Sequence, residues 1–239
     1  MRPAKGSDTV LKTCATAWSF SLQKTTTGLP SLPMPWALRP SGEGSNLQAI
    51  LEHLDALGRR SSGVVSLVVS HRAEAYALER ARLRGIPAVH IPRDAPAEAL
   101  EDALAAHDTE LVALAGYLRL VPASVVHRWA GRVVNVHPAL LPAFGGQGMY
   151  GQRVHEAVIA SGTRLSGVTV HFVDEQFDRG AIIAQWPVPV PIGDTANALA
   201  ARVLALEHRV YPWCVEAVAG GAVRLDGDGR VQGQLPYEF

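Results

Sequence analysis

The chain has 239 residues, 48% of them apolar, with 22 basic side chains balanced by 22 acidic ones. That is enough for one good hydrophobic core and a small appendage, and the balanced charge argues against nucleic acid or an anionic membrane as the main partner. No apolar run is long enough to span a bilayer, and Cys14 and Cys214 offer neither a disulfide framework nor metal-ligand spacing, so a reduced, cytoplasmic protein without a metal is expected.

Residues 1–40 read unlike the rest. They are rich in Ser, Thr and Pro, with four basic residues before Pro30 (Arg2, Lys5, Lys12 and Lys24) against the single acid Asp8. Pro30, Pro33, Pro35 and Pro40 break any regular element. The composition shares its Ser/Thr content and scarcity of acids with organellar transit peptides, but carries little Arg and no amphipathic period. The expectation is an irregular segment, with a disordered tail and a misassigned start both compatible with it. The ordered part opens at residues 41–46, SGEGSN. This Gly-rich turn runs into the amphipathic pattern Leu47, Ile50, Leu51, Leu54. Free backbone N–H groups at such a helix start bind phosphate, although Ser45 or Asn46 would equally serve as a plain cap.

Strands and helices then alternate. A branched strand at 64–69 precedes a helix at 73–84 that ends on Gly85. A short strand at 88–91 and a helix at 97–106 behind Pro96 come next. A strand at 110–115 runs into Gly116, Tyr117, Leu118 and Arg119, and a helix at 122–129 leads to a strand at 133–136. Helices of this length between strands predict an α/β fold, a doubly wound, mostly parallel Rossmann-like sheet. Beyond it lie a four-glycine loop at 143–151, which suits a mobile wall beside a site, and a helix at 153–161. A strand at 167–173, an acidic loop at 174–180, a Pro-bounded strand at 181–191 and a long helix from an Asp194 cap to about 219 complete the order. Residues 41–230 are expected to form one domain, and 231–239 a tail.

The stretch 132–142, RVVNVHPALLP, carries the chemistry. Asn135 and His137 are two apart, so an extended backbone points both side chains the same way, and Pro138 and Pro142 stop the strand. An amide and an imidazole thus meet where a buried strand ends, which is where open α/β sheets bind ligands. Both can donate to the oxygen of a carbonyl under attack. A carboxylate from the acidic loop would orient the imidazole and raise its pKa. The residues alone leave Asp174 and Asp178 as alternatives, and His171, alternating with Val170 and Phe172, reads as structural.

Several motifs, each weak alone, agree in order: SGEGSN at 41–46, LERAR at 78–82 followed by Gly85, Ile86 and Pro87, LAGYLR at 114–119, and NVHP with LLP at 135–142. His155, Glu156 and Ala157 follow, then 167–173 with Asp178, and Glu207 with His208. Together they resemble phosphoribosylglycinamide formyltransferase over roughly residues 41–230. The resemblance implies that 10-formyltetrahydrofolate, as co-substrate and without a metal, donates its formyl group to the amine of glycinamide ribonucleotide in purine synthesis. Gly44, Ser45 and Asn46 would hold the ribonucleotide phosphate, and Glu207 its ribose. Leu118, Arg119, Leu120 and Val121 would line the folate pocket with Asn135 and Asp174. Asn135 and His137 would be catalytic, and the family pattern selects Asp178 as the partner that keeps His137 charged near neutral pH. The implied partners are small molecules, on a monomer or homodimer, with no nucleic acid and no membrane.

One departure stands out. The family begins with an apolar strand leading straight into the Gly-rich turn, and here residues 33–40 hold that place with three prolines. The competing readings are a 10-formyltetrahydrofolate hydrolase, whose class carries an N-terminal regulatory domain, and a folate-binding module inactivated by the altered first strand. A methionyl-tRNA formyltransferase would need a further C-terminal domain and a basic surface.

Overall fold

The structure is a computed structural model and describes residues 11–16 and 44–235. Its main sheet has seven strands: β1 (Leu11–Thr16), β2 (Gly63–Ser70), β3 (Ala88–His90), β4 (Leu111–Leu114), β5 (Val133–His137), β6 (Leu165–Phe172) and β7 (Ile182–Pro189). The helices are α1 (Ser45–Leu57), α2 (Tyr76–Leu83), α3 (Ala97–Ala106), α4 (Ala123–Arg128), α5 (Gln152–Ser161) and α6 (Ala196–Ala219), and a small hairpin of β8 (Val223–Leu225) and β9 (Val231–Gly233) follows.

Strand periodicity builds the layers. Val68, Ala113 and Val134 point to one face, where they join Leu47 and Ile50 of α1, Leu78 of α2, Val158 of α5 and Val210 and Tyr211 of α6. Their neighbours Leu67, Val69, Val112, Leu114 and Val133 point to the other, against Leu100 and Leu104 of α3, Val125 and Val126 of α4, and Trp129. A period of two splits each apolar run between two cores, which is why these strands read as continuous apolar segments.

The sheet order is β3-β2-β1-β4-β5-β6-β7. Pairing is parallel from β3 through β5, while β6 and β7 add antiparallel strands at one edge. The order reverses between β1 and β4, so the crevice beyond their carboxyl ends is the place such sheets offer a ligand. The segment after β4, the end of β5 and the start of α1 all converge on this side.

Three expectations are corrected. Residues 1–40 were expected to be irregular throughout, yet Leu11–Thr16 forms β1 in the middle of the sheet, hydrogen-bonded to β2 and β4. The central slot needs an extended segment with its backbone donors intact, and this stretch has no proline. Residues 33–40, expected to hold that place, lie outside the described residues, as do Ser41, Gly42 and Glu43. Residues 231–239 were expected to be a tail, but Val231–Gly233 pairs with β8, so the boundary at 230 cuts a hairpin. The cap of α6 is Thr195, whose hydroxyl accepts from the Ala198 N–H, and Asp194 instead pairs with Arg202.

Candidate active site

The polar cluster grows out of β5. Asn135 and His137 alternate with Val134 and Val136, and the antiparallel register sets Asn135 opposite His171 and His137 opposite Thr169. Directly opposed residues share a face. Asn135 Nδ2 lies 3.2 Å from His171 Nε2, while His171 Nδ1 lies 2.7 Å from the Phe172 carbonyl oxygen. A carbonyl only accepts, so the His171 proton sits on Nδ1, and Nε2 accepts from the Asn135 amide. One of the two amide protons of Asn135 remains for another acceptor. His171, read from the sequence as structural, is therefore what orients Asn135. The alternation around it gave no sign of this, because only the pairing of β5 with β6 brings the two together.

His137 is 3% exposed. Its Nε2 donates to the Phe144 carbonyl at 2.9 Å, and Nδ1 faces Asp178 Oδ2 at 3.5 Å. Asp178 sits at φ 55°, a left-handed conformation rare for a residue with a side chain, which turns its carboxylate inward between His137 and His171. Asp174 goes elsewhere, accepting from the Gln176 N–H within its own loop. Burial lowers the His137 pKa, and the Asp178 carboxylate and the Phe144 carbonyl offset this only in part. Desolvation of a nearly enclosed imidazole and the carboxylate 3.5 Å from it thus act on the charge of this ring in opposite senses. His155, on the first turns of α5, has its Nδ1 buried with no protein partner, and burial together with nearby His137 takes its pKa down to about 4.

Below the cluster, Thr169 and Gln185 brace the turn that follows His137. The Thr169 hydroxyl donates to the Ala139 carbonyl and accepts from the Leu141 N–H, while the Gln185 amide donates to the Leu141 carbonyl.

The second polar site lies at the start of α1. Gly44 is its N-cap at φ 75°, and a Cβ there would lie 2.5 Å from that of Ala77, so glycine alone fits against α2. The cap has no side-chain hydrogen bond and the first turn no acidic residue. Ser45 and Asn46 are the first helical residues rather than caps. Asn46 Nδ2 donates to Glu207 Oε2 at 2.9 Å, and its Oδ1 is buried without a partner. Burial pushes the Glu207 carboxyl up to about 7. One turn on, Tyr211 donates to the Leu114 carbonyl at 2.7 Å and lies 3.2 Å from that of Val134, tying α6 to the ends of β4 and β5.

The third group is divided. Leu118 and Leu120 are exposed. Leu120 lines an open cleft of about 370 Å³ with Gly146, Gln147, Glu175, Gln176, Phe177 and Arg179. Arg119 and Leu120 also border a smaller cavity of about 120 Å³ beside His71, Pro92 and Tyr117. Val121, expected to line the same pocket, is packed into the core under α4, and Asp174 borders neither cavity. No helix among the described residues is long and apolar enough to cross a membrane.

The model of the formyl transferase family matches residues 37–215. The chloroplastic phosphoribosylglycinamide formyltransferase of Vigna unguiculata is 43% identical over 210 residues, covering 83% of this chain and 66% of that protein. The phosphoribosylglycinamide formyltransferase of Bacillus subtilis is 35% identical over 191 residues, covering 77% of this chain and 94% of that protein. The crystal structure of glycinamide ribonucleotide transformylase 1 from Symbiobacterium toebii superposes with a TM-score of 0.72 at 42% identity, covering 81% of this chain and 90% of that one. The chain spans just under two thirds of the chloroplastic relative's length and about a fifth of the trifunctional purine biosynthetic proteins it also matches. A motif order legible in the sequence, a sheet that reverses at β1 and β4, and these likenesses agree: the chain belongs to the formyl transferase family.

Proposed function

We propose that this chain transfers the formyl group of 10-formyltetrahydrofolate to the amine of 5'-phosphoribosylglycinamide, in de novo purine synthesis. The observation that carries the reading is the enclosed cluster of Asn135, His137 and Asp178 at the end of β5, beside an open cleft and on the same side of the sheet as the uncapped start of α1. The amine attacks the formyl carbon, and the carbonyl oxygen takes up negative charge. The spare amide proton of Asn135 and the ring N–H of His137 are the donors for that oxygen. As the oxyanion forms, a second negative charge appears beside the ring, which favours the imidazolium that burial otherwise disfavours. One proton must also pass from the attacking amine to the departing folate nitrogen, and a water supplies that path.

The free N–H groups of Gly44, Ser45 and Asn46 hold the phosphate at the positive end of α1. Glu207, fixed by Asn46, accepts from a ribose hydroxyl. Leu118, Arg119 and Leu120 border the folate, with the 174–180 loop as the opposite wall of the cleft. The test is release of deformylated folate from the 10-formyl donor, with and without glycinamide ribonucleotide. Release that depends on the ribonucleotide is expected. Release without it would make the chain a hydrolase, and none in either case would overturn the reading.

A further inference from the structure

The loop between His137 and α5 holds both members of the buried pair through main-chain groups. His137 has two ring nitrogens. Nδ1 faces Asp178, so Nε2 is the one whose N–H can turn to a reacting oxygen, yet it donates to the Phe144 carbonyl at 2.9 Å. Two residues on, the Gly146 N–H donates at 2.9 Å to Asp178 Oδ2, the same oxygen that faces His137. Between them, a Cβ on Gly145 would lie 2.4 Å from Leu141 Cδ2 and 3.2 Å from Asp178 Cβ, so a larger residue there would have to push the Leu141 side chain aside and crowd Asp178. Phe144 itself is at φ 56°, a left-handed conformation costly for a residue with a bulky side chain. Strained backbone is thus spent on placing a carbonyl oxygen against the one N–H of the pair that chemistry needs.

We propose that the Phe144 main-chain carbonyl is a displaceable stand-in for the reacting carbonyl oxygen, so that formyl transfer requires residues 144–146 to release His137 Nε2 as the tetrahedral oxygen forms. The inference rests on the formyl-transfer reading and adds a gate to it. One N–H cannot serve two acceptors at full strength. A neutral formyl oxygen competes with the peptide carbonyl on even terms, whereas an oxyanion is the stronger acceptor and wins. Displacement is therefore most favourable as charge develops, which directs the interaction to the transition state rather than the bound substrate.

The experiment is a crystal structure of the full chain soaked with glycinamide ribonucleotide and a folate analogue that carries, in place of the formyl group, an activated ketone that hydrates to a tetrahedral diol, alongside a turnover assay of the same preparation. With the hydrate bound, the Phe144 oxygen is expected beyond hydrogen-bond reach of Nε2, more than about 3.5 Å away, and a hydrate oxygen in its place. Normal turnover with the Phe144 oxygen still bonded to Nε2 would overturn the gate and leave the formyl-transfer reading standing. Failure of the pair to bind, together with absent turnover, would remove that reading and the gate with it.

Discussion

The two polar sites at the strand ends are built on opposite plans. At β5 the groups satisfy one another: Asn135 with His171, His137 with Phe144 and Asp178, Asp178 with Gly146. At the start of α1 they are left open, with an uncapped helix, an orphaned Asn46 Oδ1 and a carboxyl whose proton burial retains. The difference follows from what each must do. A cluster that stabilises charge for an instant is held in register by internal hydrogen bonds, and the one at His137 Nε2 yields as that charge develops. A site that holds a permanent anion needs donors without internal partners, because every internal acceptor would compete with the ligand. Glu207 shows the cost of the open plan, since a buried carboxylate beside an expected phosphate is tolerable only while it stays protonated or accepts a hydrogen bond.

The sharpest way to break this comparison is at His137. His137→Ala should lower turnover by about 10²–10³-fold, the usual loss for one oxyanion donor, with the thermal transition retained. Turnover near wild type would remove His137 from the chemistry.

Glu207→Gln tests the open site through stability. The carboxyl is raised from 4.5 to about 7, so between those values the folded state holds the proton that the unfolded chain has lost. The wild type should therefore lose stability as pH rises through that window, by up to roughly 3 kcal/mol, and stay at the lower level above it. Glu207→Gln should flatten that fall and melt later than wild type at pH about 8, while binding the ribonucleotide more weakly. Parallel melting curves for the two proteins across the window would show that the carboxyl titrates normally.

His155 gives the opposite sign. Its pKa is lowered from 6.5 to about 4, so the unfolded chain binds the extra proton and stability is lost as pH falls through that range. His155→Gln should reduce the acid-side slope by up to about 1.4 kcal/mol per pH unit, the effect of one proton. Denaturant melts at a series of pH values measure it, and an unchanged slope would show that His155 does not titrate there.

The smallest effect is expected at Asp178. Asp178→Asn removes the carboxylate that raises the His137 pKa, so the activity limb that needs the imidazolium should move to lower pH. A superimposable pH–rate profile would separate Asp178 from the mechanism.

By itself the sequence determined the alternation of elements, the common direction of Asn135 and His137, and the Gly-rich entry to the first helix. Each rests on local rules: strand period, glycine conformation, proline as a stop. The order of its motifs also determined the family. Only the tertiary structure decided which segment fills the central strand, because Leu11–Thr16 carries no signal beyond its lack of proline and is placed by its neighbours on both sides. The same holds for Val121, which the core claims although its chain neighbour Leu120 faces the cleft. Whether Asp174 or Asp178 reaches His137 turned on one left-handed residue at position 178. The role of His171 turned on the register of β5 with β6. The charge state of His137 depends on how much water the surrounding loops exclude. Spacing along a chain fixes which side chains point together, but solvent exclusion and strand register arise from contacts between segments distant in sequence, and those exist only once the chain is folded.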